Sequence, residues 1–173
     1  MMKTHKNIAH KNVALIGMPA AGKSSIGRLL AEKLDFEFID SDDLIQSGEG
    51  RTLAEIICDK GLARFLEIEE KHIIGITPER HVIATGGSAV YSKKAMDHLS
   101  RTCTVLYLFI DLPGLLTRLS DITSRGVAIK PGETIEDLYA ERTPLYDQYC
   151  DIRIDCSSLT LEQVVENAVA ALI

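Results

Sequence analysis

The sequence predicts an α/β protein, a mostly parallel sheet with helices on both faces. Three observations carry that prediction. Short apolar runs alternate with segments whose apolar residues recur at helical spacing along most of the 173 residues. The length suits one domain with one core, and a composition of 46% hydrophobic and 25% charged residues belongs to a folded globular chain, not a disordered one. The first apolar run ends at Gly17 and passes through a glycine-containing turn into a helical pattern, the order of a strand–turn–helix unit.

Each element follows from its residues. N-V-A-L-I at 12–16 reads as a buried strand, and Ser24–Leu34 as a helix with Ile26, Leu29, Leu30 and Leu34 at helical spacing. Phe36–Ile39 is a second strand, closed by an acidic loop, D-S-D-D, at 40–43. Thr52 and Glu55 form a capping box that opens a helix to about Lys60, and Ala63–Ile76 is another helix. His81–Ala84 is a third strand running into T-G-G-S, Ser92–Leu99 is a helix, and Thr104–Ile110 is the strongest strand. Asp111 caps the next helix, whose first turn tolerates Pro113. Residues 121–133 have no period and read as a mobile loop. Thr134–Tyr149 is helical, Asp151–Ile154 is a last short strand, and Thr160 with Glu162 and Gln163 starts the C-terminal helix. A single domain over 12–173 is expected, preceded by a flexible basic tail at 1–11 that lacks the apolar core of a secretory signal.

Composition excludes several classes of function. The longest apolar run, Val105 to Ile110, is far short of the roughly 20 residues that cross a bilayer. A net charge of −6 argues against a general nucleic-acid binder. The charge is uneven: residues 1–31 hold Lys3, Lys6, Lys11, Lys23 and Arg28 without an acid, whereas the segment from 133 onward is strongly acidic. Cys58, Cys103, Cys150 and Cys156 show no C-x-x-C pairing and no zinc-ligand spacing, and the five histidines are scattered. A cytoplasmic enzyme or binding domain remains, with a small molecule as its partner and a monomer as the default state.

The sharpest motif is G-M-P-A-A-G-K-S, Gly17 to Ser24, which matches the phosphate-binding pattern G-x-x-x-x-G-K-[ST] between a strand and a helix. Gly17 and Gly22 let the backbone curl through Ala20 and Ala21, so that N–H groups converge on a phosphate where the helix begins, at Ser24 and Ser25. Lys23 then reaches the β- and γ-phosphates of a nucleotide, and the Ser24 hydroxyl ligates Mg²⁺. A carboxylate ligand to accompany Ser24 has two candidates. Asp111 ends an apolar run, but a helix cap explains it. Asp40 and Asp42 lie at the carboxyl end of a strand, where open α/β sheets bind ligands; one can hold a metal-bound water while the other accepts a proton from a hydroxyl.

G-M-P-A-A-G-K-S-S-I-G-R-L-L-A, F-E-F-I-D-S-D, A-T-G-G-S-A-V and E-R-T-P-L-Y, in that order, resemble the shikimate kinase family from about Val13 to the C-terminal helix. The resemblance implies a P-loop kinase fold with a five-stranded parallel sheet, related to nucleoside monophosphate kinases. It implies transfer of the γ-phosphoryl group of ATP to the 3-hydroxyl of shikimate with Mg²⁺, a step of aromatic amino acid biosynthesis. By the same resemblance Asp40 holds the metal through water, and Asp42 binds the acceptor's hydroxyls and takes the proton. Gly86 and Gly87 admit substrate close to the backbone, Arg118 packs on the adenine, and Arg125 closes over the phosphates as a lid arginine. Arg142 is one of two arginines that grip the substrate carboxylate.

The chain departs from the family pattern at three places. The second carboxylate-binding arginine falls on Leu66, the third glycine of G-G-G is Ser88, and the lid's usual R-P is Arg125-Gly126. Arg64 lies two residues from Leu66, roughly 200° around a helix, and does not simply replace that arginine. One lost arm of an arginine clamp costs about 2–5 kcal/mol. Three readings follow: a shikimate kinase compensated by Arg64 or Lys130, a paralogue acting on another small hydroxylated acceptor, or an ATP-binding module without catalysis. A nucleoside monophosphate or gluconate kinase is disfavoured by D-S-D and by the short loop at 121–133.

Overall fold

The computed structural model describes residues 12–119 and 132–173. The expected tail at 1–11, and all but the last two residues of the expected loop at 121–133, lie outside these residues.

Five strands form one parallel sheet: β1 (Asn12–Ile16), β2 (Glu37–Asp40), β3 (His81–Ala84), β4 (Cys103–Phe109) and β5 (Ile152–Asp155), in the order β2-β3-β1-β4-β5. Leu15 in β1 is level with Ala84 in β3 and Leu106 in β4. Val13, Ala14, Leu15 and Ile16 are each 0% exposed. Successive strand side chains point to opposite faces, so both faces of the central strand are covered.

Among the described residues seven helices provide the cover: α1 (Lys23–Leu34), α2 (Ser41–Glu49), α3 (Leu53–Ile74), α4 (Lys93–Thr102), α5 (Leu112–Leu119), α6 (Ile135–Tyr149) and α7 (Leu161–Leu172). α1 packs on α7, while α3 packs on α2 and α4. A single 3₁₀ turn, Ala89–Tyr91, links β3 to α4 and touches α3 and α6. Thr52 with Glu55, Thr134 with Asp137 and Thr160 with Gln163 make reciprocal capping boxes. Asp111 Oδ1 accepts from the Gly114 N–H at 3.0 Å, so this aspartate is a helix cap. The expected break after Lys60 is a kink within α3 at Gly61, whose φ of 76° and ψ of 163° interrupt the helix.

One expected element is different. Residues 40–43 are not an acidic loop: Asp40 ends β2 and caps α2, its Oδ1 accepting from the Asp42 N–H at 3.0 Å. Asp42 and Asp43 in the first turn favour the positive end of the helix dipole. α2 buries only Ser41 and Ile45, too sparse an apolar stripe to show as a period. The remaining boundaries shift by a few residues at most.

Adjacent strands β1 and β4 send their following segments to opposite sides of the sheet, toward β2 and β5 respectively. The crevice beyond their carboxyl ends is where a fold of this order binds ligands.

Candidate active site

The turn after β1 is shaped for an anion. Gly17 has φ +146° and Gly22 φ +94°, while Ala20 takes the left-handed φ of 66°. A methyl group on Gly17 would lie 2.6 Å from the carbonyl oxygen of Leu108 in β4, so no side chain fits there. Gly22 caps α1 without any side-chain hydrogen bond, which leaves the first-turn N–H groups for a ligand. Lys23 is buried, and its Nζ donates to the carbonyls of Gly17 and Met18 at 2.8 Å each, tying the turn into a ring. Burial pulls the Lys23 pKa down to about 8, with the carboxylate of Asp42 opposing that fall. Ala21 is buried beneath the turn, whereas Ser24 and Ser25 are exposed at its mouth.

Ser24 Oγ donates to Asp40 Oδ2 at 2.6 Å, which brings together the two expected metal ligands. A hydroxyl and one carboxylate beside a phosphate cradle are hard oxygen donors. They fit Mg²⁺, which takes one or two protein ligands and completes its shell with phosphate and water.

The acceptor side is a buried polar cluster. Asp42 lies on the first turn of α2, and its Oδ1 is buried without a hydrogen-bond partner. Burial raises its pKa to about 6; Asp40 adds to the rise and Lys23 opposes it. Ser41 Oγ accepts from the Gly86 N–H at 2.9 Å and fixes the loop after β3 against α2. A methyl group on Gly86 would collide with Glu69 Oε1 and lie 2.9 Å from Asp42 Oδ1. One on Gly87 would lie 3.0 Å from an Arg142 guanidinium nitrogen. These glycines therefore give room to two carboxyls and a guanidinium.

Arg142, on α6, is 1% exposed. Its Nε donates to the Tyr91 hydroxyl at 3.0 Å, and its guanidinium lies 5.0 Å from the centre of the Tyr91 ring. Tyr146, one turn further along α6, donates to the Gly87 carbonyl at 2.6 Å.

Lys23, Asp40, Asp42, Gly86, Gly87 and Arg142 thus lie in one cluster. Ser88, also buried, lies beside Glu69, where its hydroxyl favours the carboxylate form. Leu66 is half-buried on α3 and packs against the apolar group of Ile45, Leu53, Ile56, Phe65 and Ile68. Arg64 is exposed and paired with Glu67. Arg118 stands apart, at the end of α5, donating to the Cys156 carbonyl at 3.0 Å. Arg125 and Lys130 lie outside the described residues.

Sequence reasoning gave no role to Glu69, Tyr91, Tyr146 or Ser41. Glu69 carried a usable signal: with Phe65, Ile68 and Ile73 it falls in the buried stripe of a helix, where an unpaired acid is out of place. Tyr91 and Tyr146 have no local signature, because only the tertiary fold brings them to Arg142 and Gly87.

A sheet of this order, with a phosphate cradle at the head of its central strand and buried carboxyls beside it, defines a P-loop kinase. Buried carboxyls of this kind suit transfer of a phosphoryl group to a hydroxyl of a small molecule. The family model for shikimate kinase matches residues 19–173. A shikimate kinase of Thermodesulfovibrio yellowstonii is 38% identical over 92% of this chain and 93% of its own length. The solved structure of the Acinetobacter baumannii shikimate kinase in complex with shikimate superimposes with a TM-score of 0.82 at 26% identity, covering 94% of this chain and 92% of that one. Human threonine synthase-like 1 is 31% identical over 98% of this chain, which spans 23% of that longer protein. The chain belongs to the shikimate kinase family.

Proposed function

We propose that the protein transfers the γ-phosphoryl group of ATP to the 3-hydroxyl of shikimate. One observation carries this reading: within one buried cluster the cation of Arg142 stands by Gly87 while the unpartnered Oδ1 of Asp42 stands by neighbouring Gly86. A small molecule bearing both a carboxylate and a hydroxyl matches that pair.

The geometry supports most of the following roles. The turn Gly17–Ser25 and Lys23 hold the nucleotide phosphates, and Arg118 is assigned to the adenine by resemblance alone. Ser24 and Asp40 would hold Mg²⁺, which supplies charge neutralisation on the phosphates. Arg142 takes the acceptor's carboxylate. Asp42, with its pKa raised toward neutrality, accepts the proton of the attacking hydroxyl as the oxygen–phosphorus bond forms and the bond to ADP breaks. Arg125 is assigned to the lid by resemblance alone.

A second reading has Leu66 in its favour. That side chain lies in an apolar group where the family pattern carries an arginine, which suits a paralogue whose acceptor has a neutral group there. ADP release in a coupled assay separates the two, run with shikimate, other polyols and hydroxy acids, and no acceptor. Turnover on shikimate is expected. Turnover on another acceptor with none on shikimate would overturn the first reading. Asp42→Asn is expected to abolish acceptor phosphorylation and to spare ATP binding; equal loss of both would give Asp42 a structural role instead.

A further inference from the structure

We propose that Tyr146 is a positioning residue for the acceptor: its hydroxyl sets the orientation of the Gly87–Ser88 peptide in the loop after β3. The role deepens the reading above and rests on it.

Tyr146 lies on α6, one turn beyond Arg142, and is 0% exposed. A buried phenol needs a hydrogen-bond partner, and this one takes the Gly87 carbonyl at 2.6 Å. Packing fixes the ring that makes the contact. It lies 5.1 Å from the ring of Tyr107 in β4, tilted by 31°. The loop, by contrast, has little of its own to hold it. Gly86 and Gly87 carry no side chains to resist rotation, so bonds from other elements keep one orientation. Ser41 holds the near end through the Gly86 N–H, and Tyr146 holds the far end through the Gly87 carbonyl.

The peptide plane turns that contact into a constraint on donors. A trans peptide points its C=O and N–H in opposite directions. With the Gly87 carbonyl turned toward α6, the Ser88 N–H is turned away from it. The preceding peptide is fixed likewise. The Gly86 carbonyl accepts from the Ala89 N–H at 3.2 Å, which sends the Gly87 N–H the other way. Neither N–H has a hydrogen-bond partner among the described residues. Unpaired donors in a folded loop call for a partner supplied from elsewhere. Within residues 85–90 every residue is buried except Gly87, so the loop is open at that point. There the Arg142 guanidinium comes within 3.0 Å of the place a methyl group would take. Tyr146 thus holds the stretch of backbone that an acceptor gripped by Arg142 must lie against.

The test is the steady-state kinetics of the full chain on shikimate, with Tyr146→Phe removing only the hydroxyl. Tyr107→Phe is the matched control, because it deletes a buried hydroxyl that has no partner from the same pair of rings. In Tyr146→Phe the KM for shikimate should rise about 10-fold, with kcat within about threefold and the KM for ATP within about twofold. Tyr107→Phe should leave all three within about twofold. An unchanged shikimate KM in Tyr146→Phe overturns the proposal. So does an equal rise in both variants, or an equal rise in the KM for ATP and for shikimate, since either marks packing alone. If Tyr146→Phe does not fold, amide hydrogen exchange in the wild type decides. Shikimate should slow the Gly87 and Ser88 amides by about 10-fold or more, and unchanged rates overturn the proposal. No turnover of shikimate by the wild type, with ATP binding intact, overturns the shikimate reading itself and this role with it.

Discussion

Glu69 sets a pH dependence of folding. Its pKa rises from the ordinary 4.5 to about 7 in the folded protein, because burial penalises the carboxylate. Below about 4.5 both folded and unfolded chains hold the proton. Between 4.5 and 7 the unfolded chain releases it and the folded chain retains it, so stability falls as pH rises through this window. The loss approaches about 3 kcal/mol above pH 7. Glu69→Gln removes the titration while keeping the shape. Urea unfolding of wild type and variant should therefore give similar stabilities near pH 4.5 and a variant more stable by about 3 kcal/mol at pH 8. Parallel curves at both pH values would show that Glu69 ionises freely in the folded state. A gain in stability from removing a site residue is the usual sign that the residue is held for function.

At the scale of elements, α3 carries the most specific demand. Gly61 combines φ 76° with ψ 163°, a region open in practice only to glycine, although a methyl group there would touch nothing within 4 Å. Gly61→Ala should therefore cost about 1–3 kcal/mol through the backbone alone, read as a drop in the urea midpoint with the slope unchanged. A neutral substitution would mean that the two halves of α3 can straighten. The elements that showed in the sequence are those with a local signature. Thr52 and Thr160 announced their helices, because a capping box is a contact over three residues. Val13–Ile16 and Val105–Leu108 announced central strands, because both faces are buried. α2 did not show, since its start is fixed by the Asp40 cap and its only buried apolar side chain is Ile45. The nucleotide half of the site was legible from eight consecutive residues. The acceptor half was legible only where a motif matched, and Glu69, Tyr91 and Tyr146 escaped because the groups they meet lie 17 to 59 residues away in the chain.

For the whole molecule, the parallel order β2-β3-β1-β4-β5 ties the phosphate cradle to distant sequence. Thr85 holds β3 to β1, its N–H and hydroxyl both donating to the Leu15 carbonyl. Leu108 of β4 closes over Gly17. The turn that looks local, Gly17 to Ser24, is thus completed by residues far downstream. A chain ending at Thr102 contains the entire motif but lacks β4, and it should bind no ATP by equilibrium titration. Retention of nucleotide affinity in that fragment would show the turn to be self-sufficient.

The same connectivity has a consequence during synthesis. Translation delivers the motif early, yet β1 waits for β4 before both of its edges are paired. Until then Val13–Ile16 is an apolar segment in an unfinished sheet, the kind of surface that invites aggregation or chaperone capture. Leu108, whose carbonyl closes over Gly17, arrives with the same strand, so the phosphate cradle is also unfinished through this interval. The protein's vulnerable period is therefore set by how quickly the ribosome reaches Phe109.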